Sequence, residues 1–235
     1  CKNVKIINNL IHSLNYTGSG GYGSHAIYIS AAGATNTLVA NNMIANISGD
    51  GYNYNSSSFG FDNPTGILLY TSSSQTGVKL YHNTINLYGA TLNSSSAVSF
   101  GIRLSAGVTA DIRNNIINNN LGRVGSTGTG AVCIYAATSA SQFSNLDYND
   151  YLVNPSSGSK NFGGINGVFQ TTIAGWRTST GKEVNALNVA PVFTSNTDLH
   201  LVPASNASLN QSCLPLTDVP LDYDSTTRNG LRPDM

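Results

Sequence analysis

Five side chains have the types and spacing to act together: Lys79, His82, Arg103, Asp111 and Arg113. Lys79 and Asp111 hold the same place in two copies of one pattern, Val78-Lys-Leu-Tyr-His-Asn-Thr-Ile85 and Ala110-Asp-Ile-Arg-Asn-Asn-Ile-Ile117. Equivalent positions of a stacked repeat are neighbours in space. Lys79, His82, Asp111 and Arg113 are therefore expected on adjacent coils of one face, with Arg103 pointing outward from the next face. Such a patch could contact an acidic glycan. The same residues could equally form an exposed Lys79–Asp111–Arg113 ion-pair cluster contributing under about 1 kcal/mol. No two carboxylates fall close together on the coils, and the single glutamate, Glu183, lies in the C-terminal third. No Ser-His-Asp set can be argued from spacing.

Two further groupings could bind ligands. Tyr22, Tyr52, Tyr54 and Phe61 sit in Gly- and Ser-rich loops and offer rings for a sugar face. Asp50 and Asp62, with Asn53, Asn55 and Asn63 nearby, supply the oxygen ligands that Ca²⁺ takes. No other cofactor is expected, and Asn-rich loops also arise from composition alone. Asp222, Asp224 and Asp234 are expected to pair with Arg228 rather than hold a cation. His200 alternates with Leu199 and Leu201 and reads as a solvent-facing residue of a cap strand.

The elements that position these residues follow from composition and repetition. Only 9% of the 235 residues are charged and the formal net charge is zero, against roughly 25% charged in an average soluble protein. Thirty Asn and 29 Ser take their place. A neutral chain with 11 basic residues lacks the electrostatic footprint of a nucleic-acid or acidic-lipid binder. No apolar run approaches the 18 or so residues of a membrane span. Cys1, Cys133 and Cys213 follow no metal-ligand spacing; a Cys133–Cys213 disulfide is one option and free thiols the other.

Four segments align without gaps: Val4–Ile11, Thr37–Ile44, Val78–Ile85 and Ala110–Ile117, with a degenerate fifth at Phe143–Leu152. Asn9, Asn42, Asn83 and Asn115 recur at spacings of 33, 41 and 32. A second element recurs between them: Ala26–Ile29, Gly66–Leu69, Gly101–Leu104 and Ala131–Ile134. Both alternate with period 2, the mark of a strand with one buried face. One repeat cannot bury that face alone, whereas stacked repeats form a continuous interior. Asparagines stacked about 4.8 Å apart can then hydrogen-bond along the stack. Extra length collects at one corner, at Asn15–Ser24, Ser48–Thr65, Gly89–Phe100 and Leu121–Gly130, which puts the loops on one side of the rod. After residue 155 the period fades. Thr171–Gly181 reads as a short helix capped by Thr172 and stopped by Gly181, and Trp176, Phe169 and Phe193 as packing over an exposed end.

The I-x-N-N-x-I core, present as Ile6–Ile11 and Ile112–Ile117, resembles the right-handed parallel β-helix of the pectate-lyase-like superfamily. The resemblance covers about residues 3–155 and implies an all-β solenoid of about five coils, with residues 156–235 capping the same domain. In that superfamily lyases use Ca²⁺ with a Lys or Arg base, hydrolases use close carboxylates, and other members are adhesins or stalks. The order Trp176, Pro191-Val-Phe193, Asp198-Leu-His-Leu201, Pro203–Ser208 and Asp222–Met235 resembles the closing region of secreted surface proteins of Bacteroidetes-type bacteria. The resemblance implies an extracellular bacterial location, a larger parent chain bearing a type IX secretion sorting domain, and polysaccharide or cell-surface glycan as partner. Three readings result: a non-enzymatic adhesin or stalk, a polysaccharide lyase or hydrolase acting on an acidic glycan, or a glycan-binding module using Tyr22, Tyr52, Tyr54 and Phe61 of the loops.

Overall fold

The computed structural model describes residues 2–51, 63–89, 92, 97–122 and 129–235. The chain turns through rows of three short strands. The first row is β1 (Lys5–Ile7), β2 (Leu10–Asn15) and β3 (His25–Ser30); the second is β4 (Gly33–Ala40), β5 (Met43–Ser48) and β6 (Thr65–Tyr70). The third is β7 (Gln75–Tyr81), β8 (Thr84–Leu87) and β9 (Ser99–Leu104), and the fourth β10 (Val108–Arg113), β11 (Ile116–Asn119) and β12 (Thr129–Ala136). The last is β13 (Phe143–Asp147), β14 (Asp150–Leu152) and β15 (Ser159–Ile165). Like strands pair in parallel from row to row, making three sheets. The result is an all-β parallel solenoid of about four turns, slightly fewer than expected.

The apolar columns account for this stacking. Ile6, Val39, Leu80, Ile112 and Leu146 lie in register, as do Ile11, Ile44, Ile85, Ile117 and Tyr151. Each repeated segment is two strands rather than one, because the first residue of its Asn-Asn pair bends the chain into the left-handed region. Asn8, Asn41, His82, Asn114 and Tyr148 have φ of 55°, 53°, 52°, 61° and 58°. Asparagine tolerates this region better than other side chains with a Cβ.

The third sheet corrects one alignment. Ile27, Ile67 and Ile102 continue to Ile134, and Ile29, Leu69 and Leu104 to Ala136, so the fourth copy sits two residues later than the sequence suggests. Val132 pairs with Phe100 in an apolar cluster apart from the main core. Gly66 and Gly101 permit the close approach of rows here. A Cβ on Gly101 would lie 2.5 Å from the Cys133 carbonyl oxygen, and one on Gly66 2.6 Å from that of Gly101.

At the C-terminal end β16 (Val168–Gln170) turns back antiparallel on β15, and α1 (Ile173–Thr180) follows. The Thr172 hydroxyl accepts from the Gly175 amide at 3.0 Å and Gly181 ends the helix at φ 64°, as expected. Trp176 is fully buried, edge-on to Phe143 at 5.8 Å between ring centres. Residues beyond 190 do something else: they run back along the outside of the coils. Phe193 packs beside Met43, Ala45 and Leu199 on the flank, not over the end. Phe169 stacks on Tyr135 at 6.0 Å.

Candidate functional site

Two asparagine columns organise the face that carries the charged residues. The second Asn of each pair points inward. Asn9 Nδ2 donates to Asn42 Oδ1 at 2.8 Å, Asn42 to Asn83 at 2.9 Å, Asn83 to Asn115 at 3.0 Å and Asn115 to Asn149 at 3.0 Å. The other amide hydrogen of Asn42, Asn83, Asn115 and Asn149 reaches a carbonyl one row back, at 2.9–3.0 Å. Every rung donates toward the C-terminus, so the last needs an acceptor that is not another Asn. Glu183 supplies it: its Oε1 accepts from Asn149 Nδ2 at 3.1 Å and from the Tyr151 hydroxyl. Glu183 is buried, and burial raises its carboxyl to about 8. Asp150, which follows Asn149 and begins β14, is raised by burial to about 7, although its Oδ1 accepts from the Val189 amide at 2.9 Å. Asn149, within the degenerate fifth copy, and Glu183, outside every aligned copy, continue the ladder past Asn115. Their spacing of 34 each was the available signal.

The first Asn of each pair points outward and holds the returning chain. Asn114 exchanges two bonds with Leu214, at 2.7 and 3.1 Å. Asn41 Nδ2 donates to the Leu221 carbonyl at 2.9 Å, and Asn8 Nδ2 to that of Tyr223 at 3.1 Å. The strap from Leu214 to Tyr223 therefore descends from the fourth row to the first. Val219 buries Ala40 and Tyr81 as it passes.

The expected charged patch lies beneath and beside this strap. Lys79 and Asp111 are register partners, yet Lys79 Nζ turns to Asp218 of the strap at 2.7 Å. Arg113 forks Asp111 with its Nε and Nη2, each at 2.6 Å, and its Nη2 reaches the Tyr81 hydroxyl at 2.9 Å. The guanidinium also lies 5.1 Å from the Tyr81 ring centre. Asn145 adds a third bond to Asp111 at 2.9 Å. Burial, followed by the Asp111 contact, pushes the Tyr81 phenol well above its ordinary value. His82 is buried; burial and the Arg228 charge hold its imidazole well below the usual range. Its Nε2 faces Asn114 Nδ2 at 2.9 Å. Because that amide nitrogen donates, Nε2 accepts and the proton sits on Nδ1. Arg103 is outward on the third sheet as expected but only 6% exposed, with its guanidinium 5.6 Å from the Phe100 ring centre.

The remaining candidates separate. Asp50 is buried, and its Oδ2 accepts from the Gly21 amide at 2.7 Å, tying the first corner loop to the second row. Tyr22 is 55% exposed and edge-on to Tyr16. Tyr52, Tyr54, Phe61 and Asp62 lie outside the described residues. No group of three His, Cys, Asp or Glu side chains able to hold a metal occurs among the described residues. Cys133 and Cys213 are free buried thiols. Cys133 belongs to the main core, where its Sγ contacts the Ile117 and Leu152 carbonyls.

Between strap and coils opens a cavity of about 430 Å³, lined on one side by Asn41, Met43 and His82 and on the other by Tyr223 and Arg228. Sequence reasoning did not anticipate it, because its two walls are some 140 to 190 residues apart in the chain. At its rim His200 bonds Asp198 and lies 3.2 Å from Asp224. The Asp198 bond, with help from Asp224, raises the imidazole.

Comparison with protein-family models, curated proteins and solved structures finds no match to this chain.

Proposed function

We propose that the chain is a non-enzymatic β-helix region of a secreted or cell-surface bacterial protein, of pectate-lyase-like type, serving as a stalk or adhesin segment. The observation that carries this reading is the engagement of the coil-face ionisable groups. Arg113 is held by Asp111 and Tyr81, Lys79 by Asp218, and His82 lies buried behind Asn114. Ion pairs closed on themselves and partly covered by a strap are suited to packing rather than to a substrate. A polysaccharide lyase needs instead a base and cations presented to solvent.

The test is incubation of the chain with pectin, alginate and glycosaminoglycans, with and without Ca²⁺, followed by ultraviolet absorbance for unsaturated products. The scaffold reading expects no product under any condition. Product formation that Arg103→Ala or Arg113→Ala abolishes would replace it with the lyase reading.

A further inference from the structure

We infer that the cavity between the strap and the second and third rows is a binding site for a neutral saccharide. Its volume, about 430 Å³, lies within the roughly 300–1,000 Å³ of small-molecule sites. Two buried N–H groups on side chains that line it, His82 Nδ1 and Arg228 Nε, have no partner among the described residues. The other contacts of both side chains hold them in place. His82 Nε2 takes the Asn114 amide, while Arg228 Nη1 reaches the Asp234 carbonyl and Nη2 reaches Asn41 Oδ1, each at 3.0 Å. A buried donor without an acceptor destabilises the fold, so a ligand that brings acceptors to these two groups offsets a standing cost.

The opposite wall narrows the class. Asp222, Asp224 and Asp234 line the cavity with Arg228 as the one arginine or lysine. An anionic ligand would meet three carboxylates. A cationic one would meet the guanidinium. Hydroxyl groups both donate and accept, so a polyol satisfies carboxylates and N–H donors together. Tyr223, held edge-on to His200 at 5.4 Å, and Met43 offer an apolar surface for the C–H face of a pyranose. Size, mixed polarity and an aromatic wall together fit a neutral mono- or disaccharide. The site shares only His82 with the coil-face patch. Its failure leaves the scaffold reading standing, and lyase activity at Arg103 or Arg113 would leave this site standing.

The test is an NMR and calorimetric titration of the full chain with cellobiose, maltose and lactose, with digalacturonate and inorganic phosphate as charged comparisons. The expected result is saturable binding of at least one neutral disaccharide, shifting the Arg228 Nε–H and His82 imidazole resonances, and at least tenfold weaker binding of both anions. Arg228→Gln should weaken the sugar at least tenfold. Because Arg228 also anchors the strap, Asn210→Trp provides a second arm: it changes an exposed residue on the cavity wall and should block binding without moving Tm. The proposal is overturned if no neutral disaccharide binds, if digalacturonate or phosphate binds as tightly, or if binding survives Asn210→Trp.

Discussion

Asn149 Nδ2 donates to Glu183 Oε1 at 3.1 Å, and this contact closes the hydrogen-bond ladder that begins at Asn9. The ladder has a direction. Each rung accepts from the row before and donates to the row after, so the final carboxyl serves as terminal acceptor rather than as a catalytic acid. Glu183→Ala leaves the Asn149 amide and the Tyr151 hydroxyl without their acceptor, at about 1–3 kcal/mol each. Glu183→Gln retains a carbonyl in place of Oε1. Urea unfolding should show Glu183→Ala strongly destabilised at pH 7 and Glu183→Gln close to wild type.

The same burial fixes the alkaline behaviour. Glu183 loses its proton at about 8 in the folded chain against an ordinary 4.5, and Asp150 at about 7 against 3.8. Between these ordinary and folded values the native state binds more protons than the unfolded one, so stability falls as pH rises. Unfolding midpoints measured from pH 4 to 9 should decline across that range, and Glu183→Gln should flatten the upper part of the decline.

His82 acts in the opposite sense. Its folded-state value lies well below the ordinary 6.5, so stability is present above that pH and lost as pH falls below it, where the unfolded imidazole takes up a proton. Three of the other four residues in its column are Asn. His82→Asn suits the left-handed backbone and removes the titration. Its stability relative to wild type should rise on going from pH 7.5 to pH 5.

Position along the ladder should grade the cost of losing a rung. Asn83 is fully buried, receives from Asn42 and donates to Asn115 and to the Val39 carbonyl. Asn9 is exposed and donates to Asn42 and to the carbonyl of its own neighbour Ile7. Asn83→Ala should cost about 3 kcal/mol or more, from several unsatisfied buried groups, and Asn9→Ala under about 1.5 kcal/mol. Chemical denaturation of the two variants side by side checks the ranking.

Sequence periodicity revealed the fold because the solenoid repeats one local solution: β-branched and leucine columns inside, and Asn at the bend. It also located the ladder, since Asn9, Asn42, Asn83 and Asn115 are identical residues at the same place in each aligned copy. Periodicity fails where chemistry substitutes for identity. Glu183 completes the ladder as an acceptor but resembles no other rung. The fourth copy of the second element slips two places, setting Ile134 beside Ile102 and Ala136 beside Leu104, because alternation at period 2 fits either register equally well. The destination of Lys79 could not be read at all. Asp111 is its neighbour in the repeat, yet Asp218 reaches it from the non-repeating strap. Long-range partners of that kind leave no period in a single chain.

On the outward face of the Asn-bearing coils, Tyr81 is packed beneath the strap against Val219. Hydroxyl-radical footprinting of the full chain tests this packing through Tyr81, which is 1% exposed, against Tyr22 and Tyr28, which are 55% and 50% exposed. Slow oxidation of Tyr81 and rapid oxidation of the other two are expected. Oxidation of Tyr81 as fast as that of Tyr22 would show that the strap does not cover this face.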